Sequence, residues 1–242
     1  MRLLVQNWAE DASWNEQRKK IILENTLGKK TKKRIIHILN SIFYPRFLKG
    51  NPLDAWKLIR PLEDNNLSIE VLKPVYYWVS CRSDLVLYEY VLEEMFPKCK
   101  SLDLSVRMEE TISWVKKKLE ANNQEWSESV TERVAWGILA ALRDFGILEG
   151  TKKKKVAPVY LPLEAFVYLA FTLYKLGSSG ERLVNHPDWK LFLIDTMVVE
   201  RLFLEAHQNK MLHYQSAGKI YRIEFPVNNW EGMADVISGR AN

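Results

Sequence analysis

Cysteine is scarce in this sequence. Its 242 residues include only Cys81 and Cys99, too few for a disulfide framework. Two free, buried thiols are typical of a reducing compartment, so we expect a cytoplasmic protein. Residues 1–6 hold too short an apolar stretch for a signal peptide. The strongest apolar run, residues 165–174, has about half the roughly 20 residues that a membrane-spanning helix needs. It predicts a buried core helix, and we expect no membrane insertion.

Catalytic signatures are also missing. Residues 28–31 resemble the end of a phosphate-binding loop, but Leu23 stands where that loop requires its first glycine. His207 and His213 have no nearby cysteine pair with which to form a zinc site. The sequence has no Gly-x-Ser-x-Gly motif and no acidic partners at useful spacing from Asp188. We therefore expect a protein that is not an enzyme and that uses no cofactor.

The charge of the protein is only mildly basic. It has 35 lysine and arginine residues against 30 acidic residues, which gives a formal net charge of +5. Such an excess permits a nucleic-acid partner without requiring one. The 47% of hydrophobic residues exclude a largely disordered chain, and 10 glycines with 9 prolines exclude a low-complexity one.

Helical periodicity dominates the first half of the sequence. Ile35 and Leu39 belong to one apolar stripe at helical spacing, and Pro45 is expected to break that helix. Alternating strand patterns are absent before a polar joint at residues 121–125. We therefore predict a helical domain over residues 1–121.

After this joint, helices are followed by short extended segments. Ser129 and Glu132 match a capping box, which predicts a helix start, and Gly146 ends that helix. Extended segments at residues 147–149 and 156–161 follow, connected by a lysine-rich turn. A helix followed by a hairpin with a basic tip is the sequence pattern of a winged helix.

The same order recurs near the end of the chain. A helix over residues 195–209 precedes strands at 211–215 and 220–225. Thr131 aligns with Thr196, 65 positions later, and both a structural duplication and two unrelated units would fit this similarity. The predicted fold is therefore mainly α. It has an N-terminal helical domain at 1–121, two winged-helix-like helix–hairpin units within 126–226, and a C-terminal tail at 227–242.

Clusters of cations are the candidate functional sites. Residues 29–34 hold five cations at a predicted helix start, where the helix dipole disfavours positive charge. A bound phosphate would supply the missing negative charge, although a solvated lysine-rich turn would have the same sequence. Residues 152–155 place four lysines at the predicted wing tip, with the same two interpretations.

The helix before the wing supplies the other candidates. Arg133 lies in its predicted first turn, the part of a recognition helix that reaches base edges, although an ordinary exposed arginine fits equally. Trp136 is expected to belong to the core. The candidate DNA-binding residues are Lys29, Lys30, Lys32, Lys33, Arg34, Thr131, Arg133, Lys152, Lys153, Lys154 and Lys155.

Four segments of the sequence carry a resemblance to a known family. They are ILENTLGK at 22–29 with TKKR at 31–34, SDLVLYEY at 83–90, LAALRDFGIL at 139–148, and YRIEFP at 221–226. All four are similar to segments of the BrxA family. BrxA proteins are small components of bacterial BREX phage-exclusion systems. The resemblance implies a cytoplasmic, non-enzymatic, helix-rich protein that binds DNA in a multi-component antiviral defence system. It implies no particular base-contacting residues, so the candidates above rest on charge and position.

We therefore predict a DNA-binding component of a BREX system that holds double-stranded DNA mainly through phosphate contacts. One alternative is a protein-interaction subunit that holds other BREX components through an aromatic surface. Another is an RNA-binding or regulatory protein, because helical proteins with basic faces also bind RNA.

Overall fold

The fold of this computed structural model is mainly α, as predicted. The structure describes residues 1–158, 160–218 and 220–239. Helices make up 62% of it, and the strands are short and antiparallel. Among the described residues, none of the helices combines the length and the apolar character that crossing a bilayer demands.

The secondary structure runs in the following order. The α-helices are α1 (Arg2–Asn7), α2 (Trp14–Glu24), α3 (Lys32–His37), α4 (Ala55–Asp64), α5 (Ile69–Arg82), α6 (Leu85–Tyr90), α7 (Phe96–Lys98), α8 (Met108–Ala121), α9 (Glu128–Phe145), α10 (Leu163–Lys175), α11 (Glu181–Val184), α12 (Thr196–Gln208) and α13 (Trp230–Ile237). π-Helical turns continue α3 through Ile38–Leu48 and α6 through Val91–Met95, and a 3-10 helix covers Pro187–Phe192. The strands are β1 (Ser105–Val106), β2 (Leu148–Glu149), β3 (Lys154–Val156), β4 (His213–Ala217) and β5 (Ile220–Glu224).

The chain divides into two compact units, each assembled from separate stretches of sequence. The first comprises Met1–Asp84, Pro162–Asn185 and Glu200–Asn242, and the second comprises Leu85–Leu161 and His186–Val199. The predicted domains at 1–121, 126–226 and 227–242 are consecutive stretches of sequence. This division into domains stays a prediction.

Helix α10 forms the centre of the first unit. Every side chain from Ala165 to Leu173 is buried, which confirms the core helix expected from the apolar run. The helix packs against α5 and α13. The Tyr168 hydroxyl, deep in this core, donates a hydrogen bond of 2.6 Å to the carbonyl oxygen of Leu58. A helix that is apolar all round thus finds partners on several sides within its own unit.

The expected helix break at Pro45 is wrong. Pro45 lies inside the π-helical segment that continues α3. Proline disrupts an α-helix because it lacks the N–H that bonds to the carbonyl four residues earlier. A π-helical turn bonds to the fifth residue instead, so the local widening accommodates the ring.

In the second unit, helices α8 and α9 accompany a three-stranded antiparallel sheet. Residues 122–127 join α8 to α9, and the sheet has the order β1-β3-β2. Leu148 pairs with Val156 across β2 and β3, which confirms the antiparallel hairpin predicted within residues 147–161; Val159 lies outside the described residues. Strand β1 was not expected, because two residues are too few to produce an alternating pattern.

Helix α9 begins earlier than its sequence suggests. Ser127 is the N-cap and Glu128 the first helical residue, so the capping box expected at Ser129 and Glu132 is wrong. The earlier start places Thr131 on the buried side of the helix. Gly146 ends the helix as predicted, with a φ of 84° in the left-handed region that glycine adopts without strain.

A second hairpin follows α12 in the first unit. Strands β4 and β5 pair antiparallel from His213 with Glu224 to Ala217 with Ile220, which confirms the hairpin predicted within residues 211–225. Lys219, in its predicted turn, lies outside the described residues. The ring of Tyr214 stacks on Phe203 of α12 with centroids 5.4 Å apart, so the hairpin packs on the preceding helix.

Candidate nucleic-acid interface

The five cations of residues 29–34, here called the α3 cluster, are all exposed. The loop before α3 is ordered by Asn25, whose side chain accepts a hydrogen bond from Lys29 N (2.9 Å) and donates one to Lys29 O (3.2 Å). Thr31 caps the helix by accepting a hydrogen bond from Arg34 N. The predicted helix start is therefore confirmed, and its first turn holds no acidic residue.

Acidic side chains of the described residues do not neutralise the charge of the α3 cluster. Within the described part of the chain, no carboxylate lies within 4.0 Å of any of its five cationic groups. Positive charges at a helix start oppose the helix dipole, so this arrangement is electrostatically unfavourable without an external anion. The cluster is thus available to a ligand with negative charge.

The four lysines of residues 152–155 belong to the β2–β3 hairpin, which we call the wing, and they differ in their surroundings. Lys152 and Lys153 are exposed. Lys155 forms an ion pair of 2.9 Å with Glu149 on the neighbouring strand. Lys154 is only 9% exposed, and its ammonium donates a hydrogen bond of 3.0 Å to Thr151 O. Because side chains alternate across a strand, a continuous run of lysines cannot all face solvent.

The candidates on α9 also differ. Arg133 is exposed in the first half of the helix. Thr131 is buried, and its hydroxyl donates a hydrogen bond to Ser127 O, so its side chain supports the helix start and does not reach solvent. The expectation that Trp136 belongs to the core is wrong, since 59% of it is exposed. Thr131, Ala135 and Leu139 form the buried stripe, and Trp136 lies about 100° away around the helix.

A groove of about 610 Å³ lies between the wing, β1 and α9. We call it the wing groove. Trp136 lines it, and Arg107, Lys152, Lys153 and Lys154 contribute cations, whereas Glu109 contributes a carboxylate. The Lys154 ammonium lies 5.4 Å from the centroid of the Trp136 ring. Sequence reasoning missed Arg107, because its place at the groove follows from the pairing of β1 with β3. It missed the exposure of Trp136, because that depends on which side of α9 is buried.

Gly137 lies beside Trp136 on the exposed face of α9. A side-chain carbon added there would meet nothing within 4 Å. Glycine inside a helix costs about 1 kcal/mol relative to alanine, and packing within the chain does not require it at this position. The helix therefore offers open space next to the indole.

A third run of lysines, residues 116–118, lies on α8. Its last member, Lys118, differs from the cations of the α3 cluster because it pairs with carboxylates. The Lys118 ammonium is within 2.5 Å of a Glu93 oxygen and within 2.9 Å of a Glu89 oxygen. Hydrogen bonds to Glu93 and Glu89 raise the pKa of Lys118. Its charge is already neutralised locally, so it is a weaker candidate for phosphate binding.

The histidine pair has a packing role. The rings of His207 and His213 meet edge to face with centroids 5.1 Å apart, and His207 Nδ1 accepts a hydrogen bond from Tyr214 N. Among the described residues, no three His, Cys, Asp or Glu side chains lie close enough together to hold a metal ion.

Comparison with known proteins identifies the family. The model of the BrxA family matches residues 1–172, a range that includes the α3 cluster, α9 and the wing. Three of the four similar segments lie within it, and residues 221–226 lie beyond it. No curated protein and no solved structure matches. Because the match covers well over half of the chain, the protein belongs to the BrxA family, whose members are components of BREX phage-defence systems.

Proposed function

We propose that this protein is a non-enzymatic, cytoplasmic component of its BREX system that binds double-stranded DNA mainly through phosphate contacts. The arrangement of the second unit carries the proposal. Helices α8 and α9 are joined by a short turn, and a hairpin with exposed lysines follows, with β1 completing the sheet. We interpret this order as a winged helix in which α9 is the recognition helix.

The charge distribution supports the same proposal. The α3 cluster presents five exposed cations, and the wing adds Lys152 and Lys153. Contacts from such residues to phosphates supply affinity that does not depend on base sequence and that weakens steeply with salt. Lys154 and Lys155 are already engaged by Thr151 and Glu149, so we expect little from them.

The wing is tested by the double variant Lys152→Gln with Lys153→Gln. Each phosphate contact contributes about −0.9 to the slope of log K against log salt, so loss of two contacts should flatten the slope by about two units. The measurement is a salt titration of duplex binding by fluorescence anisotropy.

The matched control for the wing is Glu149→Gln with Lys155→Gln, which removes an ion pair from the same hairpin and leaves the net charge unchanged. It should bind DNA with the wild-type slope. Equal slopes for wild type and the Lys152 and Lys153 variant would remove the wing from the proposed interface.

Arg133 is expected to affect base preference and not general affinity. If its guanidinium reaches a base edge, Arg133→Ala should reduce discrimination between preferred and unrelated duplexes by about 1–3 kcal/mol. The measurement is the ratio of affinities for a selected duplex and a scrambled one. Arg143→Ala, at the other end of α9 and paired with Asp144, is the control and should leave the ratio unchanged. A parallel loss for both duplexes would assign Arg133 to phosphate contacts.

The alternatives predict different outcomes in the same titration. A subunit that only holds other BREX components would bind no duplex even at low salt. An RNA-binding protein would be displaced from DNA more readily by RNA than by a DNA competitor of equal length. Other BREX components are the protein partners that membership of this family favours.

A further inference from the structure

Trp136 is the most exposed of the nine tryptophans in this chain. A large aromatic side chain on the surface of a soluble protein usually packs when it can, so its exposure on α9 needs a reason. The wing groove supplies a setting in which this ring faces cations.

The indole is held in a defined place. The ammonium of Lys154 lies over its ring at 5.4 Å, and that ammonium is itself bonded to Thr151 O. The cation is therefore fixed by the wing and orients the ring by a cation–π contact. A flat ligand would meet a surface that is already positioned, which lowers the entropy cost of binding.

Gly137 leaves room beside the ring. It is an unfavourable residue in the middle of an 18-residue helix, and no atom of the described residues occupies the space that a side chain would take. A ligand could therefore approach the helix backbone closely at this position.

The rim of the wing groove favours a negatively charged ligand. Arg107, Lys152 and Lys153 line it, opposed by Glu109; Arg107 also lies 3.9 Å from Glu110, a weak and solvated pair. A volume of about 610 Å³ lies within the range of pockets that hold small organic ligands. An aromatic surface next to several cations matches a base joined to phosphates.

We propose that the wing groove binds an unpaired nucleotide of single-stranded DNA, with the base stacked on Trp136 and adjacent phosphates on Arg107, Lys152 and Lys153. A base within a duplex is already stacked on both faces, so the indole selects an unpaired one. The inference rests on the proposed function, because the wing lysines bind DNA phosphates both in duplex binding and at this nucleotide site.

The test compares a short oligothymidine with a duplex of equal length. Trp136→Ala should lower affinity for oligothymidine by about tenfold, because stacking on an aromatic ring supplies much of the affinity for each base. Its affinity for the duplex should change by less than about twofold, within the range of a neutral surface substitution. Trp136→Tyr should restore most of the oligothymidine affinity, since tyrosine also stacks.

Trp126→Ala is the control, because Trp126 is exposed in the same unit but does not line the wing groove. It should bind both ligands as wild type does. Thermal unfolding of each variant verifies that it is folded. Wild-type quenching of tryptophan fluorescence by oligothymidine should be reduced in both Trp136 variants.

Three results would overturn the inference: unchanged oligothymidine binding by Trp136→Ala, equal losses for oligothymidine and duplex, and duplex binding by the wild type without oligothymidine binding. In the last case the proposed function still holds. Oligothymidine binding that depends on Trp136, without any duplex binding, would instead overturn the proposed function and support the nucleotide site.

Discussion

Replacing all five cations of the α3 cluster by glutamine should flatten the slope of log K for duplex DNA against log salt by about 4.5 units. Each phosphate that a cation neutralises releases counterions and contributes about −0.9 to this slope. All five cations are exposed, and the loop before them is ordered by Asn25. Salt titrations of wild type and variant provide the measurement.

The same five-residue variant should remain as stable as wild type or become slightly more stable. Lys32, Lys33 and Arg34 lie in the first turn of α3, where positive charge opposes the helix dipole. Thermal unfolding tests this second expectation. A large loss of stability would show that the cluster contributes to the fold, and its binding data would then need variants with fewer substitutions.

The control for the α3 cluster removes cations that already have carboxylate partners in the same unit. Lys57 lies 3.9 Å from Asp54, and Arg222 lies 2.7 Å from Glu224. In the control, Lys57 and Arg222 are both replaced by glutamine. For each cation removed, the slope of log K against log salt should change less than it does in the five-residue variant. An unchanged slope in the five-residue variant would make residues 29–34 a solvated turn, the other interpretation of their sequence.

Glu63→Gln should lower the free energy of unfolding by about 3 kcal/mol, the largest effect that we expect from one substitution. The carboxylate is fully buried and accepts hydrogen bonds from three side chains. Arg2 donates through Nε at 2.8 Å and Nη2 at 2.9 Å, Gln6 at 2.8 Å, and the Tyr76 hydroxyl at 2.9 Å. Burial is the main cause that raises the pKa of Tyr76, and the neighbouring Glu63 charge raises it further. The Tyr76 hydroxyl therefore keeps its proton and stays a donor.

The amide of glutamine would put a donor where Glu63 has an acceptor. At least one of the three partners would then face an N–H group, and a buried donor without an acceptor is costly. The Arg2 side chain is 44% exposed, so water can hydrate its guanidinium in the variant. The expected loss of stability is therefore near the lower end of the range of about 3–5 kcal/mol for a broken buried ion pair.

Chemical denaturation of Glu63→Gln and of Asp64→Asn makes the comparison. Asp64 is the next residue on α4 and pairs with Arg60 at 2.8 Å, but it is largely exposed. Loss of an exposed ion pair costs about 0–1 kcal/mol. Similar losses for the two variants would contradict the assignment of the Glu63 network as a stabilising element.

Local signals predicted much of the fold. The apolar run that becomes α10 predicted a buried helix, because residues 165–173 carry no charge and leave no polar face for water. Gly146 ends α9 with a left-handed φ, which glycine adopts without strain because it has no Cβ. The hairpins after α9 and α12 follow from a change of pattern within a few residues.

Features that depend on distant pairing were missed. Strand β1 exists because Ser105 and Val106 pair with Lys155 and Lys154, almost fifty residues later. The Lys154 ammonium lies 5.4 Å from the centroid of the Trp136 ring, whereas the pairing of β2 with β3 places Lys155 opposite Glu149. No local pattern in a run of four lysines separates these neighbours.

The family, the mainly α fold, the positions of both basic segments and the hairpins could be predicted from the sequence, because each depends on residues close together in the chain. The three-dimensional packing was needed to show which cations pair with carboxylates and that Trp136, Arg107 and the wing lysines line one groove. It also placed Glu63 among three donors from α1 and α5. The physical reason is that burial and charge pairing are set by neighbours in space, and strand pairing brings together residues that are far apart in sequence.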